Sequence, residues 1–287
     1  MKNLKSQITI FVLLGLIISI GFGFVIYLNN GTIKQTEIEK SNKIIFQTNP
    51  IKLFIENCIE DTGKSALIYI GKHGGYFETK KPYLKDANFD LPYYLYNNLD
   101  FSPSIHDIEY ELSKYMDNNI QSCINNFEYF KKQGFGITYE NPRASAFIGE
   151  DFVSFDLFFP IQIKKENTKQ KIENFNVNLN EIHLKNIYNT SKEIVNFQYK
   201  NPDKLCLTCI YELSEKADLF IDVQSYRNNS IIFVIKDYNI TSDSIINKPY
   251  NFTFSIKYVG ISCDRLNEIE DPDLIQECIE LKTYKTK

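Results

Sequence analysis

The chain has 287 residues, 43% of them hydrophobic, 14% aromatic and 24% charged, with a formal net charge of -4, a balance that excludes a disordered or collagen-like protein. Arg143, Arg227 and Arg265 are the only arginines, and no stretch gathers the lysines into the basic face that nucleic-acid binding requires, so no nucleic-acid partner is expected. Six cysteines, three histidines, twelve glycines and no tryptophan leave little material for a catalytic set; no enzyme activity, cofactor or metal is expected.

The run from Ile8 to Leu28 carries no charged side chain. As a helix rising about 1.5 Å per residue it spans roughly 30 Å of hydrocarbon, so it is read as a transmembrane anchor, with the membrane as partner through residues 8–28. Lys2 and Lys5 precede it, whereas Asn29 to Ile33 are uncharged; the positive-inside bias then puts the N-terminus in the cytoplasm and the C-terminal body outside the cell. Lys2 and Lys5 are also the only charged side chains before Asn29, so the remaining body holds thirty of the 32 basic and all 36 acidic residues, net -6. No small-x-small site follows Leu28, which favours a retained signal anchor over a cleaved signal peptide.

Lys5-Ser6-Gln7-Ile8-Thr9-Ile10-Phe11, running straight into the apolar stretch, resembles the N-terminus of archaeal single-pass membrane proteins with a pilin-like (class III) signal. The resemblance covers about the first 28 residues. It implies a cut between Ser6 and Gln7 that leaves the hydrophobic helix on the mature chain, and it suggests anchoring and surface assembly.

The expected organisation is a cytoplasmic N-terminus (1–7), the anchor (8–28), a polar stalk (29–49), a helical part (50–134) and an α+β part (135–287). Ile51, Phe54, Ile55, Cys58, Ile59, Ala66, Leu67 and Ile70 fall at helical spacing and predict a helix from Pro50 to Lys72, ended by Gly74-Gly75. Asn88 to Asp100 reads as a tyrosine-rich loop, with Tyr93, Tyr94 and Tyr96 as a candidate binding surface because aromatic side chains are common anchors. A second helix is expected with Ser102 as N-cap, Pro103 at its first position and a stripe from Ile105 to Phe130.

From Phe135 the period changes to two. Val153, Phe155, Leu157, Phe159, Ile161 and Ile163 alternate with polar residues in a half-buried strand, and Pro160 within it implies an edge position or a bulge. Phe175, Val177 and Leu179 mark another strand, and a third helix is expected from Glu181 to Tyr199. Three more strands follow, Leu219 to Tyr226, Ile231 to Tyr238 and Phe252 to Val259; the second is apolar on both faces and so central. Arg227-Asn228-Asn229 reads as a hairpin joining the first two, and Pro272 opens a short terminal helix. The fold class is therefore α+β: an N-terminal transmembrane helix, then an ectodomain of helices packed on a mostly antiparallel sheet.

An external compartment permits disulfides. Cys58 and Cys123 lie on the apolar stripes of two helices and are expected to bridge. Cys206-Leu207-Thr208-Cys209 is read first as a structural bridge, with a redox motif or half a zinc site as alternatives; six cysteines allow fifteen pairings, among which local pairing of Cys263 with Cys278 is preferred. Glycosylation acceptors occur at Asn30, Asn189, Asn228, Asn239 and Asn251. His73, His106 and His183 lie in different elements without ligand spacing, His73-Gly74-Gly75 reads as a helix C-cap, and Gly63-Lys64-Ser65 as a helical mimic of a P-loop end. Asp264, Glu268, Glu270, Asp271 and Asp273 read as a solvated acidic surface. The function expected is a structural, adhesive or surface-assembly role, with self-association or other surface proteins as partners; a ligand-binding or sensor module, and a thiol-disulfide oxidoreductase using the C-x-x-C, are the alternatives.

Overall fold

A computed structural model of the protein describes residues 49–85, 90–202, 205–226, 229–239 and 249–258, together with 275, 276 and 279. The apolar run 8–28, the stalk, Cys263, Cys278, the acidic cluster, and the acceptors Asn30 and Asn228 lie outside the described residues. Of the expected terminal helix only 275, 276 and 279 are described, and all three are helical. The chain divides into two compact units, Met1–Leu53 and Phe54–Lys287. In the first, only 49–53 are described, and they are helical.

Residues 49–72 form helix α1, as their spacing predicts. In the second unit its buried face carries Ile55, Cys58, Ile59, Thr62, Ala66, Leu67 and Ile70. The helix ends because Gly74 and Gly75 take positive φ, letting the Gly75 N–H return to the Ile70 carbonyl at 2.8 Å. Close approach explains two further glycines. A Cβ on Gly63 would stand 2.8 Å from the Phe155 ring, and one on Gly71 would stand 2.5 Å from the Asn251 carbonyl oxygen.

The segment expected as a tyrosine loop is instead a strand. After β1 (Tyr83–Lys85) comes β2 (Asp90–Tyr96), then the two-residue β3 (Leu99–Asp100). β2 runs parallel to β10 (Tyr250–Lys257), in a sheet of order β1-β2-β10-β9-β8 with β8 at Phe220–Tyr226 and β9 at Ser230–Asp237. The correction has a physical cause: Leu91, Tyr93, Tyr94 and Leu95 are all buried, and a strand covered on both faces shows no polar alternation to reveal it. Every other pairing in the sheet is antiparallel, and β9 is interior, as its two apolar faces imply. Since β2 belongs to 50–134 and β10 to 135–287, the two expected parts share one sheet.

Helix α2 (Ile105–Ile124) starts two residues later than expected. Its N-cap is Ser104, which forms a capping box with Asp107. Ser102 is taken up by Asp100, which accepts from its backbone N–H at 2.9 Å and its hydroxyl at 2.5 Å. The helix stops where Asn125, Asn126 and Phe127 all adopt positive φ; after this single 3-10 turn (Asn125–Phe127) comes the short α3 (Glu128–Lys132).

Strands β4 (Gly136–Tyr139), β5 (Arg143–Ile148), β6 (Phe152–Lys165) and β7 (Thr168–Asn180) make a second, wholly antiparallel sheet. β6 is its centre: β7 pairs along one side, while β5 and β4 pair in turn with the two halves of the other. Pro160 is accommodated by a register shift between Phe158 and Ile161, so the bulge outcome holds. The outer edge of β5 is closed by α2. Glu109, Ser113 and Asp117, four residues apart on the helix, accept from the N–H groups of Ile148, Ala146 and Ala144 at 2.9, 2.8 and 2.7 Å. Four helical residues rise about 6 Å and two strand residues about 6.6 Å, so the two repeats match.

Helix α4 (Leu184–Lys200) follows, then α5 (Leu207–Ala217), which has no counterpart among the sequence expectations. Only Ile210 of α5 is buried, although Cys206, Ile210, Leu213 and Ala217 fall at helical spacing in the sequence. Within the first sheet the rings pack on one another: Tyr94 stacks on Phe254 at 4.4 Å and Phe254 on Phe233 at 5.3 Å.

Candidate functional site

The described cysteines fall into two bonded pairs of different character. Cys58 and Cys123, 65 residues apart, are disulfide-bonded and clamp α1 to α2; Cys58 is only 2% exposed. Cys206 and Cys209 are bonded across three positions. This C-x-x-C sits at the head of α5: Cys206 is the N-cap, and its sulfur accepts the Cys209 backbone N–H at 3.1 Å. Both residues are half-exposed, and the first turn of α5 holds no acidic residue. The sequence placed the motif after a helix and Pro202; that α5 begins there is a finding of the structure.

The tyrosines do not form a binding loop. Tyr94 is fully buried, its hydroxyl donating to the Gly74 carbonyl at 3.0 Å, and burial pushes its phenol well above the usual range. Tyr93 is buried too and exchanges a 2.8 Å hydrogen bond with Ser230. Tyr96, half-buried at the end of β2, lies beneath the Lys257 ammonium at 4.8 Å. All three serve the sheet.

Asn189 is exposed on α4 and Asn239 is exposed after β9. Asn251 is half-buried in β10, with its side-chain oxygen buried and unpaired. The three histidines stay apart: His73 bonds the Tyr69 carbonyl at 2.7 Å, His106 bonds Glu109 at 2.8 Å, and His183 bonds Asp237 at 2.8 Å. The last pair joins residues 54 positions apart and its carboxylate is 1% exposed, a juxtaposition no local spacing encodes. Among the described residues no three His, Cys, Asp or Glu side chains gather to hold a metal. Gly63-Lys64-Ser65 lies within α1, and Lys64 pairs with Glu60 one turn earlier, so it makes no phosphate loop.

One feature escaped the sequence. The solvent-facing side of β4, β6 and β7 is concave, enclosing about 810 Å³, and its lining includes Lys131, Lys164, Lys169 and Lys171 without any carboxylate. Lys164 stands directly opposite Lys169 across the β6/β7 pair, and Gly136 faces Lys164 from β4. Facing like charges destabilise a sheet. Lys171 is neutralised by Glu173 at 2.5 Å, and Lys131 donates to Asn126 at 2.7 Å. The arrangement can hold an anion by charge. Alternating lysines in β6 and β7 are visible in the sequence, but their union with Lys131 and β4 depends on strand pairing.

Among the described residues no helix is long and apolar enough to cross a membrane. Comparison with known protein families, with curated proteins and with solved structures yields no match to this chain.

Proposed function

We propose that the chain is a single-pass, membrane-anchored protein whose acidic body faces outside the cell and fills a structural, adhesive or surface-assembly role, with pilin-like anchoring at its N-terminus. The observation that carries this reading is the Cys58–Cys123 bridge, because a disulfide holding two core helices together belongs to an oxidising compartment. The charge-free run Ile8 to Leu28 and the lysines before it supply the anchor and its orientation. Protease added to intact cells is expected to digest everything beyond Asn29; full protection of the body would sink the proposal.

A second reading, an external ligand-binding module, is favoured by the lysine-lined concavity rather than by the tyrosines. Immobilised inorganic polyphosphate is expected to retain the protein at low salt and to release it as salt rises. Equal retention of wild type and the Lys164→Glu/Lys169→Glu variant would remove this reading.

A further inference from the structure

We propose that Cys206 and Cys209 form a thiol-disulfide exchange centre, at which the bond heading α5 accepts two electrons from a dithiol on another polypeptide. This goes beyond the surface role above and does not depend on it.

Two observations converge on the head of α5. First, the Cys206 sulfur occupies the N-cap position and receives the Cys209 N–H at 3.1 Å. Once the disulfide opens, a thiolate there is stabilised by the same N–H and by the positive end of an eleven-residue helix. No acidic side chain in the first turn opposes that charge. Second, the pair is reachable. Both cysteines are half-exposed; in the other bridge Cys123 is half-exposed too, but Cys58 is 2% exposed.

The bond also does little for the fold. A loop closed over three positions removes little chain entropy from the unfolded state, while the bridge across 65 residues removes much more. Opening Cys206–Cys209 therefore leaves a folded protein.

The exchange balances as follows. A substrate thiolate attacks Cys206 Sγ; the Cys206–Cys209 bond breaks, and Cys209 leaves as a thiolate and takes up a proton. The second substrate thiol loses its proton and attacks the substrate sulfur of the mixed disulfide, expelling Cys206 as a thiolate. One disulfide is lost and one formed. Two electrons pass from the substrate dithiol, which is oxidised, to the cysteine pair, which is reduced.

The test is a titration of the intact chain in glutathione redox buffers, with differential alkylation and peptide mapping. Cys206–Cys209 is expected to open at a poise requiring at least ten-fold less reduced glutathione than Cys58–Cys123, with the far-ultraviolet circular dichroism unchanged. Simultaneous opening of both bridges, or loss of fold when Cys206–Cys209 opens, overturns the proposal. In the Cys209→Ser variant, alkylation of Cys206 is expected to keep more than half its plateau rate at pH 7, where an ordinary thiol of pKa about 8.5 is only a few per cent thiolate. A profile with the ordinary midpoint rejects the activated sulfur.

Discussion

Asp100 shows how one side chain ties together elements distant in sequence. It accepts from the N–H and hydroxyl of Ser102 and from Lys192 of α4 at 2.9 Å. Burial by itself raises its pKa, but these hydrogen bonds and the Lys192 charge together outweigh burial and hold the carboxyl below its ordinary value of 3.8. A depressed folded pKa means stability that is complete above the unfolded value and lost as pH falls through the lower, folded one. Asp100→Ala is therefore expected to cost about 1 to 3 kcal/mol at pH 7. The difference from wild type shrinks below pH 3.8, as urea melts across that range will show. Gly71 makes the opposite point, since its importance is an absence. Alanine is ordinarily the better helix former by about 1 kcal/mol, yet a Cβ here meets the Asn251 carbonyl at 2.5 Å and the Tyr250 hydroxyl at 2.7 Å. Gly71→Ala is expected to lower stability by about 1 to 3 kcal/mol through overpacking; a rise in melting temperature would contradict the close approach of α1 to β10.

At the scale of elements, α2 does the work of a missing strand. Its Glu109, Ser113 and Asp117 satisfy three N–H groups on the edge of β5, and an edge so covered offers no template for pairing with another chain. Ser113→Ala leaves the part-buried Ala146 N–H without its acceptor, an expected cost of about 1 to 3 kcal/mol, and hydrogen exchange at Ala146 is expected to quicken. Asp117 carries the same ladder with a pH signature. Desolvation raises its pKa above 3.8, only partly offset by the Ala144 N–H. A raised folded value means that the native state binds the proton more tightly, so this group's contribution falls as pH rises through that window. Asparagine keeps the acceptor and drops the charge. Asp117→Asn is expected to match or exceed wild type at pH 7 by no more than about 0.5 kcal/mol, with the gap closing on acidification; a clear loss at pH 7 would show that the charge itself is needed.

Over the whole molecule, α1 is the shared layer of the larger unit. Gly63 meets Phe155 and Leu179 of one sheet, and Gly71 meets Tyr250 and Asn251 of the other. The bridge from Cys58 to Cys123 fastens this helix to α2, so it constrains much of the unfolded chain. The Cys58→Ser/Cys123→Ser variant is expected to lose about 2 to 4 kcal/mol, measured by denaturant melts under non-reducing conditions. Loss of less than about 1 kcal/mol would mean that α1 and α2 hold together without the bond.

What the sequence determined by itself was whatever depends on local repetition. The face of α1, the inward residues of β6 and β7, the bulge at Pro160, the interior place of β9, the position of Cys58 and Cys123 on their helices' apolar stripes and the glycine end of α1 were all legible, because each is encoded by spacing along a few turns or strand pairs. The tertiary structure alone decided the rest. β2 became a strand because it is covered on both faces and paired with β10 more than 150 positions on, as the bond from Ser255 to the Pro92 carbonyl records. α5 formed with a single buried residue, and with it the C-x-x-C came to head a helix. The lysine-lined concavity and the His183–Asp237 pair exist only once β4, β6 and β7 are in register and the end of β9 meets α4. Periodicity reports which face of an element is apolar; which other element covers that face is set by packing across the whole chain, and no local window contains it.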